Sequence, residues 1–134
     1  MRARHFIVEG KQENANIVHM FRDFLPLAMQ VLEIDHLPKM QFAPEINTGD
    51  QPSFGMYVPD ENMLVVALAN RHPVDILRTV AHELVHYKQH MDGELTPDSG
   101  ETGSPHENQA HEIAGVIMRN FNKRYPEYLK SKPL

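Results

Sequence analysis

The sequence lacks several features that mark particular classes of protein. It contains no cysteine, which excludes disulfide bonds and thiolate chemistry. This absence is compatible with a reducing compartment such as the cytoplasm. Basic residues are in the minority, with 13 Lys and Arg against 18 Asp and Glu and a formal net charge of −5. We therefore expect no nucleic acid as the main partner, because phosphate binding needs a basic face.

Long apolar runs are missing as well. The basic start of the chain, residues 1–9, is not followed by the apolar stretch of a signal peptide, and no run approaches the length of a membrane span. We therefore expect a cytoplasmic location and no membrane partner. With 134 residues, the chain is predicted to form a single domain over residues 1–134 around one core.

What the sequence does contain is the pattern His-Glu-x-x-His at residues 82–86. Side chains four residues apart lie on one face of a helix, so His82 and His86 can bind one metal ion. Glu83 follows the first ligand directly, where its carboxylate can reach a water held at the metal. Zinc makes such a water acidic and polarises a carbonyl. The pattern therefore predicts metal-assisted hydrolysis, most often of a peptide bond.

The surroundings of this pattern strengthen the prediction. The chain contains nine His, so the five residues alone are only a moderately specific signal. Apolar residues at helical spacing, and a proline suited to a helix start, predict an amphipathic helix over Pro73 to Met91. The alternative is a helix with two partly buried histidines and no metal. That alternative leaves Glu83 as an unexplained carboxylate in an apolar stretch.

The chain as a whole is predicted to belong to the α+β class. Helical periodicity predicts a first helix over residues 13–34, which Pro26 would bend or break in two. The same periodicity predicts a last helix over residues 106–122. The segment 92–105 is rich in Gly, Ser, Thr and Pro, which indicates a surface loop.

The middle of the chain is predicted to form a small antiparallel or mixed sheet. Strand-like segments lie at residues 40–43, 54–58 and 63–68, and a turn at residues 59–62 would join the last two as an antiparallel pair. We expect this sheet to pack against the motif helix and the last helix.

A catalytic zinc usually has three protein ligands and a water, so a third ligand has to come from outside the motif. His90 extends the same helical stripe, but its Cα lies about 12 Å along the axis from that of His82, too far for both to hold one metal. Asp92 would serve as a ligand only if the helix ended early.

Glu107 is the favoured third ligand. It lies in phase with Ala110 and Ala114 on the last helix, so it is expected to point inward, and the alanines would allow that helix to approach the motif helix closely. His106 and His111 are the alternatives, and His111 could instead orient a ligand from behind.

Two segments together resemble a family of metallopeptidases, the gluzincins. They are residues 79–87 (Thr-Val-Ala-His-Glu-Leu-Val-His-Tyr) and residues 107–111 (Glu-Asn-Gln-Ala-His). In gluzincins, Glu-x-x-Ala or Glu-x-x-Ser on a downstream helix supplies the third ligand. The short spacing is similar to that of minimal gluzincins and of phage- and plasmid-borne ImmA/IrrE-type metallopeptidase domains. The resemblance covers about residues 53–121, and a phage origin would make the location the host cytoplasm.

The resemblance implies a zincin-like fold and a zinc metallopeptidase. It implies Zn²⁺ bound by His82, His86 and Glu107, with Glu83 as the general base. It also implies a strand that pairs with the backbone of a peptide or protein substrate, and we expect that edge strand to be residues 63–68.

Two other interpretations stay open. A SprT-like protease domain has a histidine as its third ligand, which would be His106 or His111. A binding or regulatory module would keep the zinc fold without turnover, in line with the lack of an evident downstream residue to stabilise the oxyanion. Tyr57, Tyr87 and His111 are unranked candidates for that role. The segment 92–105 is expected to cover the site.

Overall fold

The computed structural model describes residues 11–48, 51–96 and 103–134. Helices and strands both occur in these ranges, so the predicted α+β class is confirmed. The helices are α1 (Lys11–Leu32), α2 (Pro73–Met91) and α3 (Pro105–Arg124). The strands are β1 (Lys39–Ala43), β2 (Ile46–Thr48), β3 (Gln51–Ser53), β4 (Gly55–Val58) and β5 (Met63–Ala67). Among the described helices, none combines the length and the apolar character needed to cross a membrane.

β1, β5 and β4 form a mixed sheet in that order. β4 and β5 pair antiparallel with Val58 opposite Met63, as predicted, and β1 pairs parallel with β5. The expectation that residues 63–68 form an edge strand is wrong, because β5 lies between the other two strands. Leu64 and Val66, which share one face of β5, are fully buried, whereas Met63 and Val65 on the other face are half-buried. β4 is an edge strand of this sheet.

A second, two-stranded sheet was not expected. β2 and β3 pair antiparallel, with Ile46 opposite Ser53. Each strand has only three residues, too few for alternation of apolar and polar residues to be recognised. Pro52 lies within β3, and a proline argues against a strand when only the sequence is read.

α1 runs without interruption through Pro26, so it is not broken in two. Pro26 lies on the exposed face of the helix, where water can satisfy the carbonyl that loses its hydrogen bond to the proline. Phe21 and Phe24 before it and Ala28 after it are buried. Packing on both sides of the proline therefore holds the helix together.

α2 lies at the centre of the molecule and contacts the other two helices as well as β4 and β5. Its bounds, Pro73–Met91, are those predicted from the sequence. The helix begins with Pro73 at its first position, and the His72 ring accepts a hydrogen bond of 3.0 Å from the Val74 N–H, which satisfies one of the free donors of the first turn.

α3 packs along α2, with Ala110 and Ala114 buried in the contact. The burial of both alanines agrees with the predicted inward face of this helix. The helix begins one residue earlier and ends two residues later than expected. Of the predicted loop, residues 92–96 and 103–104 have no regular structure, and residues 97–102 lie outside the described residues.

Gly55 marks the closest approach of β4 to α2. A Cβ atom at this position would collide with Cγ2 of Thr79 and lie 3.5 Å from Cγ of Glu83. We therefore expect Gly55→Ala to push the edge strand away from α2 and to lower the free energy of unfolding by about 1–3 kcal/mol, measured by urea denaturation.

Two further variants control this experiment. In the Gly55→Ala background, Thr79→Ser removes the colliding methyl group and keeps the hydroxyl. The double variant should therefore regain much of the stability that Gly55→Ala loses. Gly115→Ala adds a methyl group within α3 that meets only the flexible Arg119 side chain, at 3.5 Å, and should stabilise the protein by about 0.5–1 kcal/mol. Equal stability of Gly55→Ala and the wild type would mean that β4 does not lie so close to α2.

Candidate metal centre

A cleft of about 740 Å³ lies between the edge strand β4, the middle of α2 and the first turn of α3. β4 contributes Gly55, Met56 and Tyr57 to its lining, and the polar side chains of the motif helix face it from the other side. The cleft therefore brings the edge strand β4 next to the polar side chains of the motif helix.

The three side chains predicted as metal ligands meet in this cleft. Oε1 of Glu107 lies 2.8 Å from Nε2 of His82 and 2.9 Å from Nε2 of His86. Glu107 occupies the first turn of α3, where its N–H donates a hydrogen bond of 3.1 Å to the hydroxyl of Ser104, the cap of the helix. We call His82, His86 and Glu107 the inner set.

His111 lies on the outer side of the same carboxylate. Its Nε2 is 3.9 Å from Oε2 of Glu107, and its ring centroid is 4.6 Å from that of His82. Donor atoms of His82, Glu107 and His111 all lie within 4.8 Å of one another, and we call these residues the outer set. The two sets differ in burial: the His111 side chain is 71% exposed and that of His86 is 10% exposed.

The donor types in this cluster fit a divalent cation. Imidazole nitrogen and carboxylate oxygen are ligands that zinc takes, and histidine binds metals in its neutral form. Burial lowers the pKa of His82, and the neighbouring His86 and His111 act in the same direction, whereas Glu107 opposes the shift. His82 is thus held toward the form in which a ring nitrogen is available to a metal.

The other candidate residues have contacts of their own. His90 lines the cleft but pairs through Nδ1 with the Tyr57 hydroxyl at 2.7 Å. Asp92 follows the end of α2, and its carboxylate forms an ion pair of 3.4 Å with Lys88. The carbonyl of His106 accepts a hydrogen bond from Gln89 at 3.0 Å, which directs the backbone at this residue toward α2.

Glu83 is buried at the back of the cleft and is only 8% exposed. Burial raises the pKa of Glu83 to about 7, and the Glu107 carboxylate acts in the same direction. His86 and a hydrogen bond from the backbone N–H of Tyr57 oppose this rise. A carboxyl group with a pKa near neutrality can both accept and return a proton at physiological pH.

Three residues were considered as oxyanion donors. Tyr57 lines the cleft, and His111 belongs to the outer set of candidate metal ligands. Tyr87 is buried and packs edge-on against Tyr57, with 6.0 Å between ring centroids. Burial raises the pKa of Tyr57 to about 12, so its hydroxyl stays protonated. That hydroxyl donates to Oδ1 of Asn62 at 2.9 Å.

Sequence reasoning missed Gln89 and the position of β4. Gln89 is buried beside His86, with Oε1 2.8 Å from Nδ1 of the ring. The signal for it was present, because residues three apart are neighbours on a helix. No local signal could have found β4 at the edge, since strand order depends on pairings between distant segments.

Comparison with known protein families, with curated protein sequences and with solved structures finds no match for this chain. A function for the protein is therefore inferred from the geometry and chemistry of the cleft.

The buried carboxyl group predicts a pH-dependent effect of Glu83→Gln on stability. The folded state raises the pKa of Glu83 from 4.5 to about 7, so it binds the proton more tightly than the unfolded chain. The wild type should therefore lose stability as the pH rises from about 4.5 to about 7, by up to about 3 kcal/mol. The glutamine variant does not titrate, so its advantage over the wild type should grow across this window.

Urea denaturation of the metal-free protein at pH 5 and pH 8 measures this difference. Glu112→Gln is the matched control, because Glu112 is exposed on α3, and its stability should follow that of the wild type at both pH values. A constant difference between Glu83→Gln and the wild type would contradict a raised pKa.

Proposed function

We propose that the protein is a zinc-dependent metallopeptidase of zincin-like fold that hydrolyses peptide bonds. The observation that carries the proposal is the contact of one Glu107 oxygen with both motif histidines, at 2.8 Å from His82 and 2.9 Å from His86. Helix spacing accounts for two histidines on one face, but the arrival of a carboxylate from a second helix requires the tertiary fold. In the proposal, the inner set holds Zn²⁺.

Burial and contact favour Glu107 over His111 as the third ligand. The Glu107 side chain is 16% exposed and touches both histidines, whereas His111 is 71% exposed. A ligand that is held in place before the metal arrives binds it with less loss of side-chain entropy. The SprT-like alternative, with a histidine as third ligand, is therefore less well supported than the gluzincin-like arrangement.

Glu83 is the proposed general base. When bound, Zn²⁺ would act as a Lewis acid toward the substrate carbonyl and an attacking water. The Glu83 carboxylate accepts a proton from that water and then donates it to the nitrogen of the leaving amine. A pKa of about 7 suits both transfers. The backbone N–H of Tyr57 orients the carboxylate during the exchange.

An extended peptide is the proposed substrate, bound along β4. The Phe54 carbonyl accepts a hydrogen bond of 2.9 Å from Ala67, next to β5. Because backbone groups alternate along a strand, those of Gly55 and Tyr57 face away from β5. The Ser53 hydroxyl already binds the Gly55 carbonyl, at 2.9 Å. The N–H of Gly55 and the carbonyl of Tyr57 are then directed to the side on which a substrate strand would pair.

A second candidate function is a zinc-binding module without turnover, acting in regulation or binding. The outer set favours it, because the donor atoms of His82, Glu107 and His111 lie within 4.8 Å of one another. In that arrangement His111 takes the coordination position that a water needs for catalysis.

Metal affinity separates these assignments. Replacement of a residue that only supports a metal ligand typically lowers the metal affinity 10–100-fold. Glu107→Gln should lower the zinc affinity by more than this, because it removes the charged ligand itself. His111→Asn should leave the affinity within about threefold of the wild type, as its ring is largely exposed and stands outside the inner set. Competition with a zinc chelator measures both. A loss of zinc affinity in His111→Asn as large as that in Glu107→Gln would support the module, in which both residues are ligands.

Activity tests the role of Glu83. Glu83→Gln should retain one zinc ion per chain and lose about 10²–10⁴-fold in the cleavage of unfolded casein, because the amide cannot take the proton. Glu112→Gln should cleave at the wild-type rate. A wild type that holds one zinc ion and cleaves neither casein nor a peptide library would overturn the peptidase proposal and leave the binding module.

A further inference from the structure

Gln89 is a buried polar side chain that the proposed mechanism does not use. It is 1% exposed and lies on α2 one turn after His86. Its amide makes three close contacts. Oε1 lies 2.8 Å from Nδ1 of His86, and Nε2 lies 3.0 Å from the carbonyl of His106 and 2.7 Å from Oε1 of Gln109. The side chain therefore connects the motif helix with the first turn of α3.

The contacts with α3 determine which way the amide of Gln89 faces. A backbone carbonyl can only accept a hydrogen bond, so the NH₂ group of Gln89 must lie toward His106. The oxygen of the amide then faces the His86 ring, and this oxygen can also only accept. The hydrogen in the contact with His86 must therefore come from the imidazole, which carries it on Nδ1.

This hydrogen determines what the other ring nitrogen of His86 can do. In a neutral imidazole with a hydrogen on Nδ1, Nε2 has a free lone pair. Nε2 of His86 is the atom that faces the other residues of the inner set, and it lies 2.9 Å from Oε1 of Glu107. Histidines that bind metals usually donate the hydrogen of their second nitrogen to a fixed acceptor, which sets the tautomer and the ring orientation.

The same amide also acts on the third residue of the inner set. His106 and Gln109 lie on either side of Glu107 in the first turns of α3, and Gln89 holds both. One buried side chain thus touches the ring of His86 and the helix segment that carries Glu107. Its hydrogen bonds link the positions of two ligands that come from different helices.

We propose that Gln89 is a positioning residue, which holds His86 in the Nδ1–H tautomer and aligns it with Glu107, so that the metal affinity of the site depends on it. The part that concerns the metal rests on the proposed function. The tautomer of His86 is a property of the protein with or without a metal, and it can be tested separately.

Three variants separate the contacts of Gln89. Gln89→Met has a similar volume and no hydrogen-bonding groups, so it removes the acceptor for His86 and both bonds to α3. Gln89→Glu keeps an acceptor for His86 but loses both donors. Gln109→Ala removes one bond to α3 and leaves the His86 contact in place.

Long-range ¹H–¹⁵N correlation spectra of the histidine rings, together with zinc affinity from chelator competition, read out the effects. In the wild type, Nδ1 of His86 should carry the hydrogen, with and without zinc. In the metal-free protein, Gln89→Met should shift His86 toward the Nε2–H tautomer, because Glu107 is then the acceptor that remains at the ring. It should also lower the zinc affinity about 10–100-fold. Gln89→Glu and Gln109→Ala should both keep the Nδ1–H tautomer.

The outcomes distinguish this proposal from the proposed function. An unprotonated Nδ1 of His86 in the wild type would overturn the positioning role, and that measurement holds even if Gln89→Met does not fold. Zinc affinity of Gln89→Met within twofold of the wild type would overturn the role in metal binding and leave the peptidase proposal intact. A wild type with the Nδ1–H tautomer but no zinc affinity would overturn the proposed function, while the tautomer would support the assignment of Gln89.

Discussion

Two small side chains, Ala110 and Ala114, let α3 lie close enough to α2 for a carboxylate on one helix to reach two imidazoles on the other. The cleft depends on this approach. A larger side chain at either position would push the helices apart and disturb the contact of Glu107 with the histidines. The packing of apolar side chains along the two helices therefore sets the geometry of the polar cluster at their end, in the way that a rigid scaffold holds a site to within fractions of an ångström.

The cluster also has an energetic cost, because Glu83, His86 and Gln89 are polar groups within an otherwise apolar interior. Burial of such groups destabilises a fold unless each one finds a partner. Here the partners are shared: Glu107 contacts two histidines, and Gln89 contacts one of them and α3. Even so, burial raises the pKa of Glu83 to about 7. The ionised form of this carboxyl group therefore lowers the stability of the folded protein. A buried carboxyl group with a raised pKa, next to imidazole and carboxylate groups, is more typical of a site that transfers protons than of a structural core.

The sequence allowed accurate prediction wherever one segment decides its own structure. The bounds of α2 follow from Pro73 and from the apolar periodicity, and the inward direction of Glu107 follows from its phase with Ala110. Periodicity reveals which face of a segment is buried but not what covers it, so the parallel pairing of β1 with β5 was not predicted and β5 was wrongly expected at the edge. The effect of Pro26 was overestimated for a related reason, because the packing of its neighbours on the buried face, which holds α1 together, is a tertiary effect. Helix spacing could have placed Gln89 beside His86, but its contact with α3 depends on a backbone carbonyl of a helix that begins more than ten residues later.

The position of Glu83 links the edge strand with the candidate metal ligands. Its carboxylate accepts a hydrogen bond from the backbone N–H of Tyr57 in β4, and Gly55 in the same strand has no side chain to hold α2 away. The strand that would bind a peptide by backbone pairing is therefore the strand that orients the proposed base. In that arrangement, the distance between the base and the peptide bond is set by backbone atoms, whose positions the sheet fixes, rather than by long side chains with many rotamers. Because Glu83 belongs to α2, a shift of β4 relative to α2 would move the substrate relative to the histidines and would disturb the hydrogen bond between Tyr57 and Glu83. The close approach of Gly55 to α2 therefore bears on the proposed reaction as well as on stability.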